Sequence, residues 1–427
     1  METILSYIFV FVVAVLVLKT INKSPKVIYY SSKKIYINES FRILFLFVVT
    51  SMVGYASNIL LWGIYILTIF LINYKCKKIF RLNMSFYFLC FIGWTIFTLS
   101  FSEGIYKGIL MIIKLIMPLF FYILTRKAIQ NTDQVWFFFE KISSSIYIYV
   151  LVGIYSAFIG LYMTVFKYYS MPVSIILIAL YFKKHQRKYL LLSVLNFCVP
   201  LIMLKRTPLL GIGVGLLIFL IYRYKLKAII PSVIGLIIGI ITLINIPQLR
   251  ERIFFNGEDL TTRDLFNPET FNQINTSGRD VMWLYAYENY YEPNPIIGCG
   301  IGTLKNYMDS PQNPLRTSFT LLHNDWLHIL CETGLVGIIL LVLFFCSVFG
   351  KAYKYSLYKY PNDLRLISCC AAGVFTTTII HMYFENSVNS IIFFMPGIFA
   401  AILDVSIKEY RNKLKYANIG KNHLRID

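Results

Sequence analysis

Thirteen mostly apolar stretches follow one another along a chain of 427 residues, near 3–18, 42–57, 58–74, 84–102, 105–124, 143–163, 168–182, 189–204, 208–222, 228–246, 327–349, 366–382 and 391–405. A helix that spans a bilayer needs about 20 such residues, and no soluble surface accommodates so many runs of this kind. The composition agrees, with 57% hydrophobic and only 15% charged residues and a mean hydropathy of +0.64. A soluble domain carries about 25% charged residues. The pattern predicts an all-α polytopic integral membrane protein of about 12–13 transmembrane helices, and it excludes a soluble enzyme, a disulfide-framed secreted domain and a disordered tail. The first stretch begins Met1-Glu2, has no basic leader or small-residue cleavage site, and is followed by Lys19. It therefore reads as an anchor with its N-terminus outside.

A net charge of +20 invites a nucleic-acid reading. Sorting the charges by loop removes it. Lys19 to Arg42, Lys75 to Arg81, Arg126 and Lys127, Lys183 to Lys188, Arg223 to Lys227, Lys351 to Arg365 and the tail from Lys408 on together hold 29 of the 41 basic residues. These loops alternate along the chain, so the positive-inside rule makes them cytoplasmic and accounts for the excess.

The opposite loops are short and nearly uncharged, except for 247–326. That stretch holds ten acidic residues against six basic ones and is punctuated by Pro247, Pro268, Pro293, Pro295, Pro311 and Pro314. Its aromatic content and regular apolar spacing argue for folded structure, and a long folded loop on a compact scaffold is commonly functional. The expected organisation is N-terminal transmembrane helices over 1–246, one large extracytoplasmic loop over 247–326, and C-terminal helices with a basic cytoplasmic tail over 327–427. Only Cys299 of the eight cysteines falls in that loop, so no disulfide framework is implied. No Cys/His cluster has zinc-ligand spacing either.

Three places could carry chemistry. Lys205-Arg206 sits at the outer end of the eighth stretch, where two adjacent cations break the charge pattern of the outer loops. An ionisable group at the edge of an apolar bundle is a functional hypothesis, against the plainer reading that both side chains snorkel to lipid phosphates. In Thr276-Ser277-Gly278-Arg279-Asp280-Val281-Met282-Trp283, the Ser277/Asp280 spacing predicts a helix running to about Tyr291. Arg279 then lies in its first turn, where free N–H groups and the helix dipole already favour an anion. An ion pair with a loop carboxylate competes with that reading. The stripe Trp283, Tyr287, Tyr291 reads as packing. The Gly298, Gly300, Gly302 run lacks the strand–turn–helix setting of a dinucleotide loop and reads as a tight turn. Gly211, Gly213 and Gly215 read as close helix packing.

The third place is His323-Asn324-Asp325-Trp326-Leu327-His328, where the loop re-enters the membrane. A neutral imidazole at a water–lipid boundary can accept a proton, although a lone interfacial His is commonly structural. Glu332 lies nine residues on, about half a turn out of phase and roughly 13 Å deeper by helical rise. It suits a buried structural hydrogen bond better than the task of orienting His323. His328, on the other face, serves as a control. Arginines suit diphosphate through bidentate hydrogen bonds, and a base beside a diphosphate leaving group is what glycosyl transfer needs.

The order of these pieces resembles the O-antigen ligase / Wzy polymerase superfamily. They are an Arg at a span end, Gly278-Arg279 with Trp283, the Asn294-Pro295…Gly298…Gly300…Gly302 turn, and His323-Asn324…Leu327…Glu332…Gly334…Gly337. The specific motifs cover about 200–340 and the remainder follows by hydropathy. The resemblance implies a GT-C-like membrane enzyme that needs no metal or other cofactor and works on undecaprenyl-diphosphate-linked oligosaccharide. Arg206 and Arg279 fall on its diphosphate-binding arginines and His323 on its base, with Lys205, Asn324 and Glu332 as supporting residues. The implied place is the bacterial inner (cytoplasmic) membrane with the site facing the periplasm or the extracellular side. The implied partners are lipid-linked glycans, membrane lipid, a chain-length regulator and a flippase, and not nucleic acid. Ligases of the superfamily commonly have twelve spans with both ends inside, from which thirteen departs. A repeat-unit polymerase for O-antigen or capsule is the first expectation and a ligase to lipid A-core or another acceptor the second. A flippase or exporter is the third, disfavoured because no internal repeat is evident and few ionisable groups (Lys114, Glu332, Asp404) lie at depth.

Overall fold

The computed structural model describes residues 2–21, 23–30, 32–50, 59–74, 86–158, 166–254, 278–311, 313, 321–389 and 391–423. The helices in chain order are α1 (Glu2–Ile21), α2 (Glu39–Thr50), α3 (Ile59–Tyr74), α4 (Phe86–Thr98), α5 (Ile105–Ala128), α6 (Thr132–Phe158), α7 (Phe166–Lys184) and α8 (Arg187–Ile202). They continue with α9 (Arg206–Tyr224), α10 (Leu226–Ile244), α11 (Pro247–Ile253), α12 (Arg279–Ala286), α13 (Thr303–Asp309), α14 (Asp325–Tyr355), α15 (Asn362–Phe384) and α16 (Met395–His423). Each of the thirteen apolar stretches is matched by one of α1–α10 or α14–α16, and the all-α polytopic membrane architecture read from the sequence is the one observed. By length and hydropathy alone, α5, α9, α14 and α15 are the described helices able to cross a membrane unaided.

One element differs from the expectation. Residues 19–42, read as a plain basic loop, contain an antiparallel hairpin of β1 (Lys26–Tyr30) and β2 (Lys33–Ile37). Its Val/Ile/Tyr-rich strands have the branched and aromatic content that suits a pleated surface. Contacts to the start of α6 hold it in place: the Tyr30 hydroxyl donates to Glu140, Lys33 pairs with Asp133, and the Gln134 amide donates to the Tyr36 carbonyl.

Small residues bring the central helices together. A Cβ on Gly373 of α15 would lie 3.0 Å from the Gly215 carbonyl oxygen of α9, and one on Gly215 would lie 3.2 Å from that of Gly373. The two backbones therefore touch, which is the packing expected of glycines inside spans. Gly211 is filled in the same way by Met171 of α7. Aromatic side chains occupy the wider gaps, as where Phe121 of α5 stacks on Phe394 at 5.0 Å beside the buried Trp62. Lysine-bearing ends of α6, α7 and α8 and the Asp363 end of α15 gather on one side, joined by Lys183–Asp363 and Lys184–Glu140 pairs. Loops between α4 and α5, between α8 and α9, before α14 and after α15 gather on the other. The Ser277 capping position and the basic loop from Lys75 to Arg81, including Cys76, lie outside the described residues, as do Arg263, Arg316, Pro268 and Pro314.

Candidate active site

α14 is broken near its start. Gly334 has φ +64° and ψ −170°, which interrupts the helical ladder and frees carbonyls before it and N–H groups after it. The glycine run found in the sequence satisfies them. Cys299 and Gly300 N–H donate to the Cys331 and Glu332 carbonyls at 2.9 and 3.0 Å, while Leu335 and Val336 N–H donate to the Pro295 and Ile296 carbonyls at 2.9 and 3.2 Å. The Trp94 indole of α4 supplies the Thr333 carbonyl. Gly298 has φ +80°, and a Cβ there would lie 2.5 Å from the Glu332 carbonyl carbon. The turn is thus a backbone plug for a broken helix, and it fixes the large loop on the bundle. Burial, with the nearby carboxylate of Glu332, pushes the Cys299 thiol well above its ordinary range, which disfavours the thiolate.

The loop is pinned again through α13. Asp309 accepts hydrogen bonds from Lys107 of α5 and Lys305, at 2.5 and 2.7 Å. Burial raises its carboxyl, but the two ammonium groups outweigh this and hold it below its ordinary value. On the neighbouring face Tyr285 donates to Tyr307 at 2.7 Å, and burial together with that bond pushes Tyr285 up to about 12.

α12 begins at Arg279 with Gly278 in the left-handed region as its N-cap, and its last turn widens into a π-helix over Tyr287–Tyr291. The helix thus spans the residues expected from the sequence. Trp283 packs edge-on against Tyr383 at 5.9 Å and donates to the Leu322 carbonyl, as a packing stripe should. Arg279 points to the end of α15. One guanidinium nitrogen donates to the Phe384 carbonyl at 2.5 Å, and another lies 3.7 Å from Glu385 Oε1.

The other oxygen of the same carboxylate lies 3.2 Å from His323 Nδ1. His323 is not helical; it holds φ +52° just before the N-cap Asn324, whose side chain accepts from Leu327 N–H. With Nδ1 facing Glu385, and the Asn386 amide 3.5 Å from the same nitrogen, Nε2 makes no hydrogen bond among the described residues. The loop bearing Glu385 is anchored beside it: the Asp325 carboxylate accepts from Val388 N–H at 3.1 Å, and Ser387 is bonded to His381. One short segment, 323–325, therefore carries both the imidazole and the anchor for its carboxylate.

Sequence reasoning missed Glu385. The signal present was that it is the one charged residue of the short loop after the twelfth stretch. The ion-pair reading of Arg279 holds, with a carboxylate of a different loop. Glu332, expected from the sequence as a supporting residue, is engaged elsewhere. It is fully buried, lies 3.1 Å from His328 Nε2 and accepts from Lys305 N–H, as a structural role requires. That contact corrects the use of His328 as a neutral control, because removing the imidazole strands a buried carboxylate. Asn324 supports the site as a helix cap.

Lys205 and Arg206 are half-buried at the N-cap and first position of α9, after a tight turn with Leu204 at φ +50°. A helix N-terminus repels cations, so the α9 dipole does not account for two of them there. Arg206 and Arg279 share the same setting, the first residue of a helix. α9 and α15 run antiparallel with Gly215 against Gly373 and Thr377. Nine residues of helical rise, about 13.5 Å, place Arg206 level with the Phe384–Glu385 end of α15. Arg279 and His323 are thus joined directly through Glu385, and Arg206 lies at their height.

Residues 191–342 match the family model of the O-antigen ligase, Wzy_C. No curated protein matches the chain. The matched segment runs from α8 into α14 and contains Lys205, Arg206, Arg279, His323, Asn324 and Glu332, whereas Glu385 falls outside it.

Proposed function

We propose that this chain, whose residues 191–342 match the O-antigen ligase family model, is a polymerase of undecaprenyl-diphosphate-linked oligosaccharide repeat units for O-antigen or capsular polysaccharide. The family supplies the coarser statement, a glycosyltransferase-like membrane enzyme. The base-and-cation chemistry of this reading, which a ligase would share, rests on one observation: a carboxylate that reaches an imidazole with one oxygen and a guanidinium with the other.

In this reading the Nδ1–H of His323 is held by Glu385, leaving the Nε2 lone pair to take a proton from the acceptor sugar hydroxyl. The hydroxyl oxygen attacks the anomeric carbon of the lipid-linked donor, and the bond from that carbon to the diphosphate oxygen breaks. Undecaprenyl diphosphate leaves with the electron pair, its charge met by Arg279 and Arg206 and the free N–H groups at their helix starts. Cations of the chain do the work a metal would do, and the site faces the periplasm.

Deletion followed by glycan electrophoresis tests the assignment. A polymerase deletion leaves single repeats attached to their acceptor and no ladder. Loss of all attached units, with lipid-linked polymer accumulating, would instead identify a ligase. Single lipid-linked units held on the cytoplasmic face would identify an exporter.

A further inference from the structure

The lysine-rich end, opposite the candidate site, contains a cavity of about 280 Å³ between α6 and α8. Its lining combines ionic and hydroxyl groups with the apolar side chains of Phe137 and Leu192. Glu140 contributes the carboxylate, but that charge is already taken: Lys184 pairs with it at 2.5 Å and the Tyr30 hydroxyl donates to it at 2.7 Å. Lys141 and Lys188 remain. Neither pairs with a carboxylate among the described residues; each ammonium leans over a lining ring, Lys141 over Phe137 at 5.3 Å and Lys188 over Tyr189 at 4.9 Å. Two positive charges therefore stand unneutralised over one cavity. Ser143 and Ser144 donate to the Glu140 and Lys141 carbonyls of their own helix, which leaves both hydroxyl oxygens available as acceptors.

Along α8, directly beyond Lys188 and away from the lysine-rich end, Leu191, Val194 and Leu195 expose 61%, 54% and 38% of their surface. Spacings of three and four residues put them on one face. Tyr147 of α6, also exposed, stands at the rim. A cationic, acceptor-bearing cavity that opens onto an apolar helix stripe matches one amphiphile: a phosphate diester with donor hydroxyls on its headgroup and acyl chains below it.

We propose that this cavity is a binding site for an anionic glycerophospholipid. The phosphate lies between Lys141 and Lys188, the headgroup hydroxyls donate to Ser143 and Ser144, and an acyl chain runs along α8. Basic pockets between helices on the cytoplasmic side are suited to anionic headgroups, and the sorting of charges places this end there. The site is independent of the glycan chemistry at the other end.

The test uses the full-length protein, delipidated in a neutral detergent and titrated with phosphatidylglycerol under native mass spectrometry. One phosphatidylglycerol is retained per chain, while phosphatidylethanolamine binds at least roughly tenfold more weakly. The K141Q/K188Q double variant weakens phosphatidylglycerol by about 30-fold, the effect of two lysines at a membrane surface. The K141R/K188R pair keeps it, and K408Q/K415Q, exposed on the polar end of α16, leaves it unchanged. Equal retention of both lipids, or undiminished binding by K141Q/K188Q, would overturn the site. Displacement by millimolar glycerol phosphate would overturn the lipid assignment in favour of a free anion. A second readout needs no variant: phosphatidylglycerol with a photoreactive acyl chain should label α8 near Leu191–Leu195, and labelling confined to other helices contradicts the proposal.

Discussion

Glu385 has one oxygen 3.2 Å from His323 Nδ1 and the other 3.7 Å from the Arg279 guanidinium, so substituting it disturbs both contacts at once. Glu385→Gln keeps the shape and an acceptor but removes the charge that orients the imidazole. Turnover of lipid-linked donor in membrane vesicles should fall by roughly 10–100-fold, less than the roughly 10²–10⁴-fold loss expected from removing a general base. Glu385→Asp should recover part of it, and unaltered turnover in Glu385→Gln would remove the carboxylate from the mechanism. His323, Arg206 and Arg279 could be picked out because each stands out by a local rule: Arg206 as one of two cations at a short outer loop, Arg279 as a cation in the first turn of a helix, and His323 as a titratable ring at a lipid boundary. Glu385 violates no such rule, and its partner is 62 residues away in the chain. Pairing across a bundle depends on which helix ends meet, and no spacing encodes that.

At the scale of elements, the broken α14 and the glycine turn form one unit. Gly298→Ala places a methyl against the Glu332 carbonyl at a positive φ, and should destabilise the loop–bundle junction by about 3 kcal/mol. The readout is a lowered thermal aggregation temperature in detergent; an unchanged temperature would show that the junction is not tight. The sequence marked these glycines as a turn, but not the helix end that the turn repairs. That end exists only because Gly334 leaves the helical region inside a continuous apolar stretch, where periodicity gives no warning. The second anchor carries a pH signature. Asp309 is held below its ordinary carboxyl value by Lys107 and Lys305, so its contribution is present above the unfolded carboxyl range and is lost as pH falls through the depressed folded value. Asp309→Asn should cost about 1 kcal/mol or less at pH 7, the pair being partly exposed. That difference from the unmodified protein should vanish in strong acid, and a difference that persists there would assign the loss to packing.

Across the whole molecule, charge separates two ends with different tasks. The lysines of α6, α7 and α8, their few carboxylate partners and the hairpin gather at one end, and the Arg206–Arg279–His323–Glu385 rim lies at the other. Apolar stretches sufficed to predict the helical bundle, because lipid permits so few architectures. The hairpin of residues 26–37 escaped because a short strand pair inside a basic loop has no hydropathy signature. On the proposed function, the rim is where donor, acceptor and leaving group meet, and His323 is the group proposed to move the proton. The decisive measurement is glycan electrophoresis of cells in which His323→Ala replaces the unmodified protein at equal, correctly inserted levels. His185→Asn, an exposed histidine at the lysine-rich end, serves as the neutral comparison. Loss of the polymer ladder from His323→Ala, with a normal ladder from His185→Asn, is the expected result; a normal ladder from His323→Ala would contradict the account.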